Sequence, residues 1–296
     1  MTTTRFAPSP TGDLHLGGAL VAVASHTLAR ASGGALRLRI EDLDPPRIVA
    51  GSADRIARDL DWLGVGVDGA IVRQSERRAH YEAAVAALER AGRVYPCDCS
   101  RADIARVASA PHEGEETVYP GICRDLNPSR QMKRAPALRL RTQGFITFDD
   151  LACGSQRHAV DALGDFVLKR GDGAFAYQLA AAVDDAEMNI DVVVRGRDLL
   201  SSTPRQLHLM HLLRYNKTPH YAHVPLVVDA LGQRLSKRAR GASVRALREA
   251  GVSADEVMAW LRGVLGMTQP EDAIAWPTSE APVPAAWARL ARSELT

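Results

Sequence analysis

A chain of 296 residues, 46% hydrophobic and 24% charged, can bury one large core or two smaller ones, which excludes a largely disordered protein. It holds no run of about 18 apolar residues, and its first residues, MTTTR, lack the apolar core of a signal peptide, so a cytoplasmic protein is expected. A net charge of +2 gives no global pull toward nucleic acid; any RNA contact must come from local basic patches, such as residues 124–141 (with Arg130, Lys133, Arg134 and Arg139) or residues 234–240.

The chain opens on RFAPSPTGDLHLGG, residues 5–18. Phe6 and Ala7 read as the end of a buried strand, and Pro8 and Pro10 fix φ at two points of the loop that follows. Beyond Gly12, Leu16, Leu20, Val23, Thr27 and Leu28 recur at helical spacing, which places His15, Gly17 and Gly18 on a first helical turn. The unpaired N–H groups of such a turn, together with the helix dipole, favour an anion, and glycine lets a phosphate approach the backbone closely. A phosphate and substrate cradle is the reading of this stretch.

After a break at Gly33 and Gly34, residues 36–40 alternate apolar and basic side chains, as a strand ending at Glu41 and Asp42 would. A helix from Ser52 buries Ile56, Leu60 and Leu63 before Gly64, and another buries Tyr81, Val85 and Leu88 before Gly92. Strand, helix, strand, helix is the rhythm of a parallel α/β sheet. Between about residues 94 and 166 cysteines, prolines and short alternating stretches break it, which predicts an inserted subdomain. The rhythm resumes with a short strand at 192–194 running into Arg195. A helix follows, with Thr203 as its N-cap, Pro204 at its first position and Leu213 at its end. A last strand is predicted over 224–228, then a glycine-bounded basic loop at 232–241, helices over 243–250 and 254–265 that close the ordered part, and a proline-rich tail. No internal repeat and no heptad pattern is present, so a monomer is expected.

Three of the four cysteines, Cys97, Cys99 and Cys123, share the insertion. In a cytosolic chain a metal explains such a cluster better than a disulfide framework, and zinc held by thiolates is the expected ion. The C-x-C spacing is not that of an ordinary zinc finger, so the fourth ligand must be something else; His112 and a water are physical candidates. Cys153 is expected to be a buried structural thiol.

His15-Leu-Gly-Gly18 resembles the first signature of the class I aminoacyl-tRNA synthetases, His-Ile-Gly-His, in the form used by the glutamyl branch, with Gly18 in place of the second histidine. RLSKR at 234–238 resembles the second signature, Lys-Met-Ser-Lys-Ser, with Arg234 in place of the leading lysine, and it lies where that signature belongs. Between them RLRIEDLDPPR, FVLKRGDGAFAYQLA and VVRGRDLLSSTPRQ resemble the glutamyl and glutamyl-queuosine synthetases. The resemblance implies a Rossmann-type catalytic domain in two halves, 1–93 and 166–241. Around them it implies an inserted acceptor and zinc-binding subdomain at 94–165, a short helical stem-contact region at 242–266 and the tail at 267–296. Only two helices and about thirty residues follow the basic loop, so the anticodon-binding domain of complete glutamyl-tRNA synthetases is expected to be absent.

The same resemblance implies site roles. Arg5 and Arg195 would hold substrate carboxylates, helped by Ser9 and the backbone of Phe6, Ala7 and Pro8; Glu41 would take the amino group and Tyr177 would close the pocket. His15, Gly17, Gly18 and Lys237 would bind ATP, with Lys237 steadying the phosphates as pyrophosphate leaves. Bidentate guanidinium–carboxylate pairing and an acid facing an ammonium make chemical sense of those types. Tyr119 would be the fourth ligand of one structural Zn2+, beside Cys97, Cys99 and Cys123. The implied activity is ATP- and Mg2+-dependent activation of L-glutamate and its transfer to queuosine in the anticodon loop of tRNA(Asp). A minimal enzyme charging a tRNA 3′ end and a non-catalytic paralogue that binds glutamate, adenylate or tRNA are the alternatives.

Overall fold

The computed structural model describes residues 1–107, 118–229, 232 and 243–287. His112, Arg234 and Lys237 therefore lie outside the described residues. The first strand, β1 (Thr4–Phe6), leads through the proline loop into α1 (Leu16–Ala31) and back to β2 (Leu36–Ile40). Then come α2 (Ser52–Trp62), β3 (Val72–Arg73) and α3 (Arg78–Arg90), which buries Tyr81, Ala84, Val85 and Leu88. After α3 the chain makes β4 (Val94–Cys97), α4 (Arg101–Val107), β5 (Ala137–Leu140), the hairpin β6 (Phe145–Asp150) and β7 (Gly154–Ala159), and β8 (Val167–Lys169). The return half holds α5 (Tyr177–Glu187), β9 (Val192–Gly196), α6 (Ser202–Leu212), β10 (His220–Val224) and β11 (Val227–Val228). Helices α7 (Val244–Glu249) and α8 (Ala254–Val264) and strand β12 (Ala281–Pro282) complete it.

Among the described residues the main sheet runs β3-β2-β1-β9-β10-β6-β7, parallel throughout except for the last pair. Both faces are covered, as parallel strands require. One core joins Leu16, Leu20 and Val23 of α1 to Ile56, Leu60, Leu247 and Leu261; the other joins Tyr81 and Leu88 to Leu179, Val183, Leu207 and Tyr221. The sheet order reverses direction between β1 and β9, so the crevice beyond their carboxyl ends is the place where an open α/β sheet takes a ligand.

Several expected elements are placed differently. The strand expected over 224–228 is two: Pro225, which has no N–H for a ladder, ends β10, and β11 pairs instead with β12. Residues 267–287, expected to trail from the last helix, pack on it, with Met267, Ile274, Val283 and Trp287 buried and the Trp260 and Trp287 rings edge to face at 5.6 Å. The expected insertion over 94–165 is also divided: β4 and β5 form a small antiparallel sheet with β8, while β6 and β7 extend the main sheet. Helix α6 begins one residue before Thr203, with Ser201 rather than Thr203 at the cap, and the Thr203 hydroxyl is turned to another use described below. Cys153 is half-buried rather than buried. No helix among the described residues is long and apolar enough to cross a membrane.

Candidate active site and metal centre

A cleft of about 950 Å3 opens at the carboxyl ends of β1 and β9. Arg5, Phe6, Ala7, Pro8, Ser9, His15, Gly17, Gly18, Glu41, Tyr177 and Arg195 all line it, so the structure brings together every candidate glutamate- and nucleotide-site residue among the described positions. The proline loop is pinned rather than loose. Val49 N–H donates to the Pro10 carbonyl at 2.9 Å, Glu41 N–H to that of Pro8 at 3.0 Å, and the Ser52 hydroxyl to that of Gly12 at 2.5 Å.

His15 caps α1: its Nδ1 accepts from Gly18 N–H at 3.0 Å, which puts the ring proton on Nε2. Glycine at 17 and 18 makes this turn possible, because a Cβ on Gly18 would stand 2.9 Å from the Leu14 side chain and one on Gly17 3.2 Å from the His15 ring. The capping leaves the remaining N-terminal amides of α1 at the cleft wall, where they suit an anion. The segment after the basic loop returns to this turn. Val244 N–H donates to the Leu14 carbonyl at 2.8 Å, and Asp13 pairs with Arg55 at 2.6 Å and with Arg245 at 3.7 Å.

Beneath the cleft floor lies a buried charge lattice. Asp185 of α5 pairs with Arg39 at 2.6 Å and with Arg5 at 3.3 Å, while Arg5 also donates to the Val194 carbonyl at 2.7 Å and Arg39 reaches Glu41 at 3.2 Å. Neighbouring Asp184 accepts from Tyr81, Gln74 and Arg77 at 2.9, 2.8 and 2.6 Å. Burial raises the Asp185 carboxyl, but the Arg39 and Arg5 guanidinium groups outweigh it and hold the group below the usual carboxylate range. For Glu41 the balance is reversed: burial pushes its carboxyl up further than Arg39 and Arg5 pull it down. A partly buried acid in that condition, facing a cleft, is relieved by a cationic ligand such as an ammonium.

On the opposite wall Arg195 donates to His223 Nε2 at 3.0 Å, Gln206 Oε1 at 2.7 Å, Thr203 Oγ1 at 2.6 Å and the Tyr177 hydroxyl at 3.4 Å. Sequence reasoning missed Arg39, Asp184, Asp185, Thr203, Gln206 and His223. One signal was readable: an Asp-Asp pair inside the apolar run LAAAVDDA must be buried, and buried carboxylates need cations.

Away from the cleft, Cys97 at the end of β4, Cys99 just after it and Cys123 place their three sulfurs within 4.8 Å of one another. The Tyr119 hydroxyl lies 3.3 Å from Cys97 Sγ and 3.9 Å from Cys99 Sγ, and Cys99 and Cys123 Sγ are 3.5 Å apart. Tetrahedral zinc with thiolate bonds of about 2.3 Å needs ligand atoms about 3.8 Å apart, so the set fits. Arg130 lies 3.2 Å from Cys123 Sγ and Arg139 sits over the Tyr119 ring at 3.7 Å, offsetting thiolate charge. Burial pushes the Cys99 thiol up to about 12, a shift that a cation taking the thiolate would reverse.

The family model of the class I tRNA synthetases (E and Q), catalytic domain, matches residues 1–278. Glutamyl-Q tRNA(Asp) synthetase of Geobacter sulfurreducens is 52% identical over 247 residues, covering 83% of this chain and 78% of that one. The proteins of the same name from Nitratidesulfovibrio vulgaris and Nocardia farcinica are 45% and 47% identical, covering 90% and 89% of this chain and 87% and 84% of theirs. The crystal structure of a glutamate tRNA ligase from Elizabethkingia meningosepticum in complex with its amino acid superposes with a TM-score of 0.73. At 24% identity it covers 99% of this chain and 69% of that one, which shows the shared fold. A capped helix start and paired arginines at the sheet's switch point, the match over 278 residues and relatives at about half identity converge: the chain belongs to the class I tRNA synthetases of the glutamate and glutamine branch.

Proposed function

We propose that the protein activates L-glutamate with ATP and transfers it to queuosine in the anticodon loop of tRNA(Asp). The observation that carries this reading is the meeting of Arg5, Glu41, Tyr177 and Arg195 with the His15 helix start in one cleft, in a chain whose relatives at about half identity bear the glutamyl-Q name. In the first step a glutamate α-carboxylate oxygen attacks the α-phosphorus of ATP, the bond to the bridging oxygen breaks, and pyrophosphate departs. That carboxylate is ionised at neutral pH, so no general base is required. Mg2+ on the phosphates would share the charge with the α1 amides and Lys237. In the second step a hydroxyl oxygen of the queuosine cyclopentene ring attacks the mixed anhydride, forming an ester and releasing AMP. A reaction that needs tRNA and ATP together belongs in the cytoplasm, and a monomer is the proposed state.

Labelled glutamate, ATP and magnesium offered to tRNA(Asp) with queuosine, the same tRNA without it, and tRNA(Glu) should label the first alone. Label on tRNA(Glu) would instead make it a charging enzyme, and label on none, with no ATP–pyrophosphate exchange, would make it a binder.

We further propose that Cys97, Cys99, Cys123 and Tyr119 hold one structural Zn2+, which would tie the end of β4 to the 118–123 segment. Elemental analysis of protein purified without chelator should return one zinc per chain, and Cys99→Ser should lower that content and the melting temperature together. Metal-free parent protein with an unchanged melting temperature would refute the site.

A further inference from the structure

Arg195 is 3% exposed, and among the described residues its hydrogen-bond partners are uncharged: an imidazole, an amide oxygen and two hydroxyls. Its guanidinium also lies over the Tyr221 ring, 5.2 Å from the centroid. A buried cation whose hydrogen bonds all go to neutral acceptors keeps more of its charge for an incoming anion than Arg5, which is directly paired with Asp185 at 3.3 Å; Asp185 reaches Arg195 only at longer range. The acceptor that needs explaining is His223, because imidazole can present either a lone pair or an N–H toward Arg195.

Asp150 decides between the two. Its Oδ1 accepts from the backbone N–H groups of Ala152, Cys153 and His223 at 3.0, 2.9 and 3.2 Å, and its Oδ2 lies 2.5 Å from His223 Nδ1. Burial raises the Asp150 carboxyl, but His223 and the backbone amides outweigh it and hold the group below the usual carboxylate range, so Oδ2 accepts, the imidazole proton sits on Nδ1 and the Nε2 lone pair faces Arg195 Nε–H. The His223 side chain is fully buried, and burial and the nearby Arg195 and Arg5 guanidiniums outweigh Asp150 and keep the ring neutral.

We propose that Asp150 and His223 act as positioning residues, a tautomer-setting relay that aims Arg195, to which no carboxylate is hydrogen-bonded among the described residues, at the substrate carboxylate. The inference rests on reading Arg195 as a glutamate-site residue. Thr203 and Gln206 complete the cradle from α6, which explains why Thr203 is not spent on capping that helix.

Asp150→Asn tests it with nearly unchanged shape. The amide oxygen can keep the three backbone bonds, but the NH2 then faces Nδ1, forces the proton to Nε2, and sets N–H against N–H at Arg195. In ATP–pyrophosphate exchange the glutamate KM should rise about tenfold to a hundredfold, the loss of one hydrogen bond to a charged group, while the ATP KM stays within about twofold. Nitrogen NMR of the His223 ring should show the Nδ1-protonated tautomer in the parent and the Nε2-protonated one in the variant.

His223 supplies the second pair. His223→Leu should raise the glutamate KM alone, and His223→Gln, whose amide oxygen can stand where Nε2 stood, should recover most of the loss. A purely packing role would lower the melting temperature in all three variants without separating the two KM values. Folded Asp150→Asn or His223→Leu protein with the parent glutamate KM, or with both KM values raised in parallel, would overturn the relay. If Arg195→Ala raises the glutamate KM in that event, the reading of the site survives without it; if Arg195→Ala has no effect, both fall together.

Discussion

Asp185→Ala should destabilise the protein by about 3–5 kcal/mol, the usual cost of deleting one partner of a buried ion pair. Asp185 and Arg39 are fully buried and Arg5 nearly so; the deletion takes from Arg5 its ion-pair partner and leaves Arg39 only the longer pairs to Glu41 at 3.2 Å and Asp184 at 3.7 Å. The cost would be smaller if Glu41 could take over both arginines, but it already reaches Arg39 and lies at the cleft surface, where the substrate ammonium would compete for it. The urea midpoint at neutral pH checks the figure, and a deficit under about 1 kcal/mol would mean that the lattice is not paired as described. The pH dependence has a defined sign. The folded-state carboxyl lies below its unfolded value of about 3.9, so its contribution is complete above roughly pH 5 and is lost as pH falls through the folded value. The gap between parent and variant should therefore be widest at neutral pH and close in acid.

The same lattice marks where sequence reasoning stops. Patterning alone could find α1, α2, α3 and β2, because Leu16, Leu20 and Val23, or Ile56, Leu60 and Leu63, declare one apolar face by spacing. It misreads the basic half of β2. Arg37 and Arg39 alternate with leucines as they would on a half-solvated strand, yet Arg39 is wholly buried because α5 covers that face and offers Asp185 to it. That pairing spans 146 positions and no local rule can supply it. The β6–β7 hairpin escapes local patterning for a related reason: Phe145 is largely exposed, and β6 joins the main sheet only through its far end, at Asp150 opposite Tyr221. The first signature, by contrast, is readable at the level of chemistry, since a histidine before two glycines at a helix start can cap the turn while leaving its amides open to an anion. The cysteine trio is readable as a cluster, since Cys97, Cys99 and Cys123 share one region of the sequence and the structure brings their sulfurs within 4.8 Å of one another. What the sequence could not show is that Arg5 and Arg195, alike as buried arginines, differ in their hydrogen-bond partners among the described residues: Arg5 has a carboxylate, Arg195 only neutral groups.

Lys237→Ala should lower the rate of ATP–pyrophosphate exchange by about 3 kcal/mol, roughly a hundredfold or more, with the glutamate KM held within about twofold. Lys237 itself lies outside the described residues, and the expectation is built from what borders it. Upstream, Pro225, Leu226 and Val227 line the cleft; downstream, Ser243 pairs with His15 across an antiparallel bridge, and Ser243, Arg245 and Ala246 line the same cleft. The described residues on both sides of the lysine thus border the proposed phosphate site. In-line displacement builds negative charge on the oxygen that bridges the α- and β-phosphates, and that charge exists only as pyrophosphate departs. A cation that meets it stabilises the transition state more than the bound substrates, so its loss should fall on kcat and leave ground-state binding at the proposed glutamate site untouched. Arginine at 237 should restore part of the rate, because it keeps the charge but changes its geometry. Exchange by Lys237→Ala at the parent rate would remove the lysine from the chemistry, and a rise in the glutamate KM with kcat unchanged would move it to substrate binding.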